Sequence, residues 1–251
     1  MAEYKFIGGG ITMADERIIA ALDLRTLAEA EKLVEKLGDS IVFYKVGMEL
    51  FYAVGPEIIK YLKGKNKKIF LDLKLHDIPN TVAEGLVSLM RLGVDIFNVH
   101  ASGGFTMMSR AAQRVREEAD KMGINPPKLI AITVLTSMDG DDWDGLGMHM
   151  PIDEQAVRLA LLSKDAGLDG VVASPHEAAR IRRACGKNFM IVTPGVRPTG
   201  STADDQSRIA TPEQALKNGA SQIVVGRPIY KADDPRKAAE QILAEINPAD
   251  C

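Results

Sequence analysis

A single-domain (β/α)8 barrel, the TIM-barrel architecture of the α/β class, is the fold that this sequence predicts. Eight short apolar runs recur along the 251 residues, segments of helical periodicity lie between them, and no linker-like stretch divides the chain. Near-continuous Val/Ile/Leu strands alternating with helices imply a parallel sheet covered on both faces, which leaves an open doubly wound sheet or a closed barrel. The count of eight favours the barrel. One domain then spans residues 1–251, with residues 1–17 as a short N-terminal extension.

In chain order the strand candidates are IIAALD (18–23), IVFYKVG (41–47), KKIFLDLKL (67–75), DIFNVHA (95–101), KLIAITVLT (128–136), LDGVVAS (168–174), FMIVTPGV (189–196) and SQIVVGR (221–227). Residues 25–38, 103–123 and 153–167 are representative of the helices, with apolar residues at helical spacing and charges opposite. Gly38, Gly123, Gly167 and Gly219 stand where helices hand over to strands, as left-handed caps require. Two connections are longer, residues 137–151 after the fifth strand and 197–212 after the seventh. Both follow strands and so lie at the C-terminal mouth, where they are expected to act as mobile lids over a substrate.

Composition excludes several classes of function. A net charge of -3 with no long Lys/Arg run gives no footprint for nucleic acid or a membrane surface. Cys185 and Cys251 form neither a disulfide framework nor a zinc cluster. With no signal-peptide core and no apolar stretch of transmembrane length, a cytoplasmic protein is expected. The methionines read as fillers of core and loop gaps.

The most informative stretch is KKIFLDLKLHDIPNTV. Alternation puts Ile69, Leu71, Leu73 and Leu75 on the helix-facing row and Phe70, Asp72, Lys74 and His76 on the inward row, with Asp77 following at the mouth. Parity likewise turns Asp23 and Lys45 inward at the ends of the first two strands. Buried charges cost several kcal/mol each unless paired, so Lys45, Asp72, Lys74 and Asp77 are expected to form one hydrogen-bonded array. A salt-bridge network that only closes the barrel top would account for them too, although charges at C-terminal strand ends more often serve function. A lysine among carboxylates stays an ammonium and so is a proton donor rather than a Schiff-base nucleophile. His100 is either a further inward group or a histidine satisfied in the core, and no catalytic role is given to it.

TPGVRP after the seventh strand and VVGRPI after the eighth bring Pro194, Arg197, Gly226 and Arg227 to the two strand ends that commonly build a barrel phosphate site. Gly226 lets backbone N–H groups approach an anion, the arginines add bidentate charge, and Gln206 in the long loop can close over it.

Taken together, DLKLHDIPNT (72–81), the ALD ending at Asp23, KVG from Lys45, VLTS through Thr136 and Ser137, TPGVRP with DDQ, and VGRPI resemble the orotidine 5′-monophosphate decarboxylase family of bacterial type. The resemblance implies that Lys74 protonates C6 of the pyrimidine as carbon dioxide leaves, with Asp72 facing the departing carboxylate. It implies that Lys45 and Asp23 position the network and the ribose hydroxyls, and that Thr136 and Ser137 meet the base. Gln206, Arg197 and Arg227 would hold the phosphate. Asp77 and Thr81 would reach the ribose in the neighbouring subunit's site, making a homodimer with composite sites. No cofactor and no metal are expected, because dinucleotide, pyridoxal and metal motifs are missing. The rivals are a magnesium-dependent sugar-phosphate decarboxylase or aldolase of the same barrel group, which shares Asp-x-Lys-x-x-Asp, and a non-catalytic nucleotide-binding barrel, which would not need Lys74.

Overall fold

The computed structural model describes residues 15–198 and 210–247. Strand β1 (Ile18–Ala21) is followed by helix α1 (Leu27–Leu37), β2 (Phe43–Gly47), α2 (Met48–Val54), α3 (Glu57–Gly64), β3 (Lys68–Leu75) and α4 (Pro79–Met90). Then come β4 (Ile96–His100), α5 (Gly104–Met122), β5 (Lys128–Ile132), α6 (Gly140–Gly145), α7 (Ile152–Asp165), β6 (Gly170–Val172) and α8 (Ala178–Cys185). The chain ends with β7 (Met190–Thr193), α9 (Pro212–Lys217), β8 (Gln222–Val225), α10 (Arg227–Tyr230) and α11 (Pro235–Ile246). The eight strands are parallel and close on themselves in sequence order, β8 pairing with β1. This is the predicted barrel, in one domain; residues 1–14 of the expected extension lie outside the described residues.

Alternation along the strands builds two cores. Ile18, Tyr44, Ile69, Leu71, Phe97, Leu129, Val171, Ile191 and Ile223 point outward into the layer beneath the helices. Ile19, Ala21, Phe43, Phe70, Ile96, Ile130, Ile132, Val172, Val192 and Val224 fill the barrel interior. Each fully buried aliphatic or aromatic side chain contributes about 1.5–3 kcal/mol. The inner residues occupy the lower and middle barrel, so the next inward position on each strand falls at the mouth.

Local chemistry sets the ends of the helices. Thr26 and Glu29 form a reciprocal capping box at the start of α1, and Gly123 ends α5 in the left-handed conformation. Gly38, Gly167 and Gly219 also take positive φ, as their places before strands require. The connection after β5 carries structure of its own. Asp139 caps α6, and Trp143 is buried against Val134 and Ala156 while its Nε1 donates to the Met150 carbonyl at 2.7 Å. At the base of the connection after β7, Val196 bridges Ala210 and Arg197 N–H donates to the Ala210 carbonyl at 3.0 Å. No helix among the described residues is long and apolar enough to cross a membrane.

Candidate active site

Strand β3 departs from regular alternation where its charges begin. Leu71 pairs with Phe97 of β4 but Leu75 pairs with Val99, so β3 takes four steps where its neighbour takes two. The extra length forms a bulge that contains Lys74 at φ 53, a left-handed conformation uncommon for lysine. The Lys74 N–H, removed from the strand ladder, donates instead to Oδ1 of Asn98 at 2.8 Å. Because of the bulge, His76 does not continue the inward row, contrary to the alternation expected from the sequence. It is exposed, with its ring 5.4 Å from that of His100.

Four charges form a chain across three strand ends. Lys45 Nζ donates to Asp23 Oδ1 at 2.9 Å and lies 3.6 Å from Asp72 Oδ2. Lys74 Nζ donates to Asp72 Oδ1 at 2.8 Å, and Asn98 Nδ2 reaches the same oxygen at 2.6 Å. The expected array therefore exists, but its terminal carboxylate within one chain is Asp23 and not Asp77. Asp77 is exposed beyond the strand end, where its carboxylate accepts from the N–H of Ile78 at 2.6 Å, and Thr81 is exposed at the start of α4. The bulge and the Ile78–Pro79 turn carry both outward.

Electrostatics maintain the charged forms. Burial pushes the Asp72 carboxyl up, but the ammonium groups of Lys45 and Lys74, with hydrogen bonds from Lys74 and Asn98, outweigh it and hold the pKa below the usual carboxylate range. Burial likewise works against the Lys45 ammonium, and Asp72 and Asp23 more than offset it, leaving its pKa raised. His100 moves the other way: burial, then the neighbouring His76 and Lys74, lower its pKa despite Asp72.

A cavity of about 180 Å³ opens on this array. Lys45, Asp72 and Lys74 line it together with Phe70, Ile132, Val134, Leu135, Thr136, Val172, Pro194 and Val224. Ser137 is exposed just beyond. A larger groove of about 560 Å³ along α7, lined in part by His149, Arg158 and Asp165, contains none of the array.

Gly226 and Arg227 flank the other side of Asp23. A Cβ placed on Gly226 would lie 3.5 Å from Asp23 Oδ2 and 3.5 Å from the Tyr230 ring. Burial and then Asp23 raise the pKa of the Tyr230 hydroxyl, whereas Arg227 and Arg197 lower it, so both arginines project their field to one place. Arg197 is buried, and one of its Nη groups donates to the Val196 carbonyl at 3.0 Å. Gln206 lies outside the described residues.

Two residues of this site were not anticipated from the sequence. Asn98 has no exposed surface, and the parity that singled out His100 also turns Asn98 inward. Gly47 has a steric role: a Cβ there would stand 2.9 Å from Lys45 Nζ and 3.6 Å from Asp23 Oδ1. Nothing in KVG distinguishes that from an ordinary strand-end glycine.

Residues 16–242 match the family model described as Orotidine 5'-phosphate decarboxylase / HUMPS family. The chain is 52% identical over 234 residues to orotidine 5'-phosphate decarboxylase of Moorella thermoacetica, covering 93% of each. It is 48% identical to that of Pelobacter propionicus, covering 93% of this chain and 96% of the relative. Among solved structures it resembles the orotidine 5'-phosphate decarboxylase of Lactobacillus acidophilus, with a TM-score of 0.82 at 43% identity over 93% of this chain and 100% of that one. The corresponding protein of Pyrococcus horikoshii superposes with a TM-score of 0.72 at 27% identity, over 92% and 100%.

Proposed function

We propose that in this chain, which belongs to the orotidine 5′-phosphate decarboxylase / HUMPS family, Lys74 delivers the proton that replaces carbon dioxide on C6 of orotidine 5′-monophosphate. The family reaction is a carboxy-lyase step of pyrimidine biosynthesis that yields uridine 5′-monophosphate. The two relatives described above carry the first name in the family description, at identities that extend over 93% of this chain.

The observation that carries the assignment is a single cavity lined both by the fixed charges of Lys45, Asp72 and Lys74 and by apolar side chains. The C–C bond to the carboxylate breaks, its electron pair stays on C6, and the ring offers that pair no easy sink. Stabilisation must then come from charge already aimed at the carbon. Lys74 meets that need because the carboxylate of Asp72, 2.8 Å away, holds and directs its ammonium group. As carbon dioxide departs into the apolar part of the cavity, the Lys74 proton moves to C6. Asp72 faces the departing carboxylate, and Lys45, held between Asp72 and Asp23, fixes Asp72 in turn.

Asp23, at the open end of the array, is suited to the ribose hydroxyls, and the Gly226–Arg227 segment with Arg197 and Gln206 to the phosphate. Pro194 and Thr136 border the cavity and, with Ser137, are suited to the base. A homodimer with composite sites has support from the same mouth. Exposed Met48 and Tyr52 follow β2, Ile78 follows β3 and Phe105 follows β4, large apolar side chains after three adjacent strands, and exposed Asp77 and Thr81 likewise follow β3. Since a nucleotide monophosphate does not cross membranes unaided, we assign the enzyme to the cytoplasm, where its substrate is retained.

The direct test is an ultraviolet assay with orotidine 5′-monophosphate in the presence and absence of a chelator. Turnover is expected in both. No turnover overturns the assignment, and loss only with chelator would favour the magnesium-dependent reading.

A further inference from the structure

Asn98 stands on the inner row of β4, next to the bulge of β3, and is fully buried. Both ends of its carboxamide are used on that bulge. Nδ2 donates to Asp72 Oδ1 at 2.6 Å, and Oδ1 accepts from the Lys74 N–H at 2.8 Å. The partners fix the orientation of the amide, since a carboxylate takes only a donor and a backbone N–H only an acceptor. Aspartate lacks the donor, leucine lacks both groups, and glutamine is one methylene too long for the same place.

The bulge makes this amide consequential. A lysine in the left-handed region is strained, and a half-buried N–H cut off from its ladder needs a substitute acceptor. Without that acceptor the backbone of Lys74 has no reason to keep its conformation, and the direction in which the side chain leaves the strand changes with it. The second bond holds the carboxylate towards which Lys74 points. Asn98 thus ties the backbone of the acid and the charge that aims it to one rigid neighbouring strand.

We propose that Asn98 is a positioning residue for the reaction, acting through the relative orientation of Lys74 and Asp72 and not by touching the substrate. The proposal rests on the reading of Lys74 as the acid. Its main consequence is a split between rate and binding, because the phosphate and ribose are held by other elements.

The test compares Asn98→Ala and Asn98→Asp with the parent. In both, kcat should fall by about 100-fold, the scale of a misplacement near 1 Å, while KM and the affinity for uridine 5′-monophosphate stay within about threefold. Asn98→Asp keeps the acceptor but sets a second carboxylate against Asp72, so it gives the same kinetic comparison if Asn98→Ala does not fold. Deuterium uptake across residues 70–77 should rise in Asn98→Ala and not in Asn98→Asp. Adding Asn98→Ala to Lys74→Ala should cost no further rate. Parent-like kcat in both variants, or an equal rate loss with and without Lys74, would overturn the proposal. If the parent itself does not decarboxylate orotidine 5′-monophosphate, the reaction assignment fails, while the exchange comparison still reports whether Asn98 holds the bulge.

Discussion

The Lys74 ammonium and the Asp72 carboxylate lie 2.8 Å apart on the same strand, only two residues from one another. In a regular strand such side chains project in parallel; here the bulge turns one onto the other. Lys74→Ala removes the proposed proton source and leaves Asp72 paired with Lys45. We expect kcat/KM to fall by at least about 1,000-fold, ~4 kcal/mol, with uridine 5′-monophosphate still bound by a folded barrel. A residual rate within about tenfold of the parent, ~1.4 kcal/mol, would remove the acid role from Lys74.

Asp72 links the site to acid stability. Its folded-state pKa lies below the ordinary value of 3.8, so its ionisation contributes stability that is complete above the unfolded value and is lost as pH falls through the folded one. Asp72→Asn cannot ionise. The melting temperature of the parent should exceed that of Asp72→Asn by a constant margin from pH 5 to 7. The margin should shrink below about pH 4, as protonated Asp72 becomes equivalent to the amide. A margin independent of pH down to the acid transition would contradict the lowered pKa.

The parts of the site that were readable in the sequence are those that obey strand parity. Phe43 and Lys45 alternate with Tyr44 and Val46, and Phe70 and Asp72 alternate with Ile69 and Leu71, so the inward charges can be placed once the strands are recognised. The bulge was not readable. Positive φ usually announces itself through Gly or Asn, and Lys74 gives no such signal. That hidden irregularity explains why alternation wrongly extended the inward row to His76. Asn98 was available to the same parity but looks like any polar residue in a strand. The room that Gly47 leaves for Lys45 depends on a neighbour's side-chain path, which no local pattern encodes.

Gly47→Ala tests that steric relation. The added methyl would meet the end of a flexible side chain rather than backbone, so Lys45 can move aside and the fold should lose no more than about 1–3 kcal/mol. Moving the ammonium disturbs its contacts with Asp23 and Asp72. A drop in kcat/KM of about tenfold or more, ~1.4 kcal/mol, is expected at a temperature where the variant is fully folded. Unchanged kinetics would mean that the position of Lys45 is not critical.

Asp77 decides whether sites are shared between subunits. Its carboxylate accepts from the N–H of Ile78 and stands on an exposed rim beside Ile78 at 67% exposure. In a dimer closed about a two-fold axis, that rim can complete the partner's site. Asp77→Ala and Lys74→Ala should each be inactive alone. Mixed and allowed to exchange subunits, they form hybrids in which the Lys74 of one chain faces the Asp77 of the other, while the second site of the hybrid carries both lesions. Random pairing makes half of the dimers hybrid with one sound site of two, so about a quarter of the parent activity should return. If Asp77 served its own chain, every site would retain one lesion and nothing would return, provided that native mass spectrometry shows the hybrids to be present.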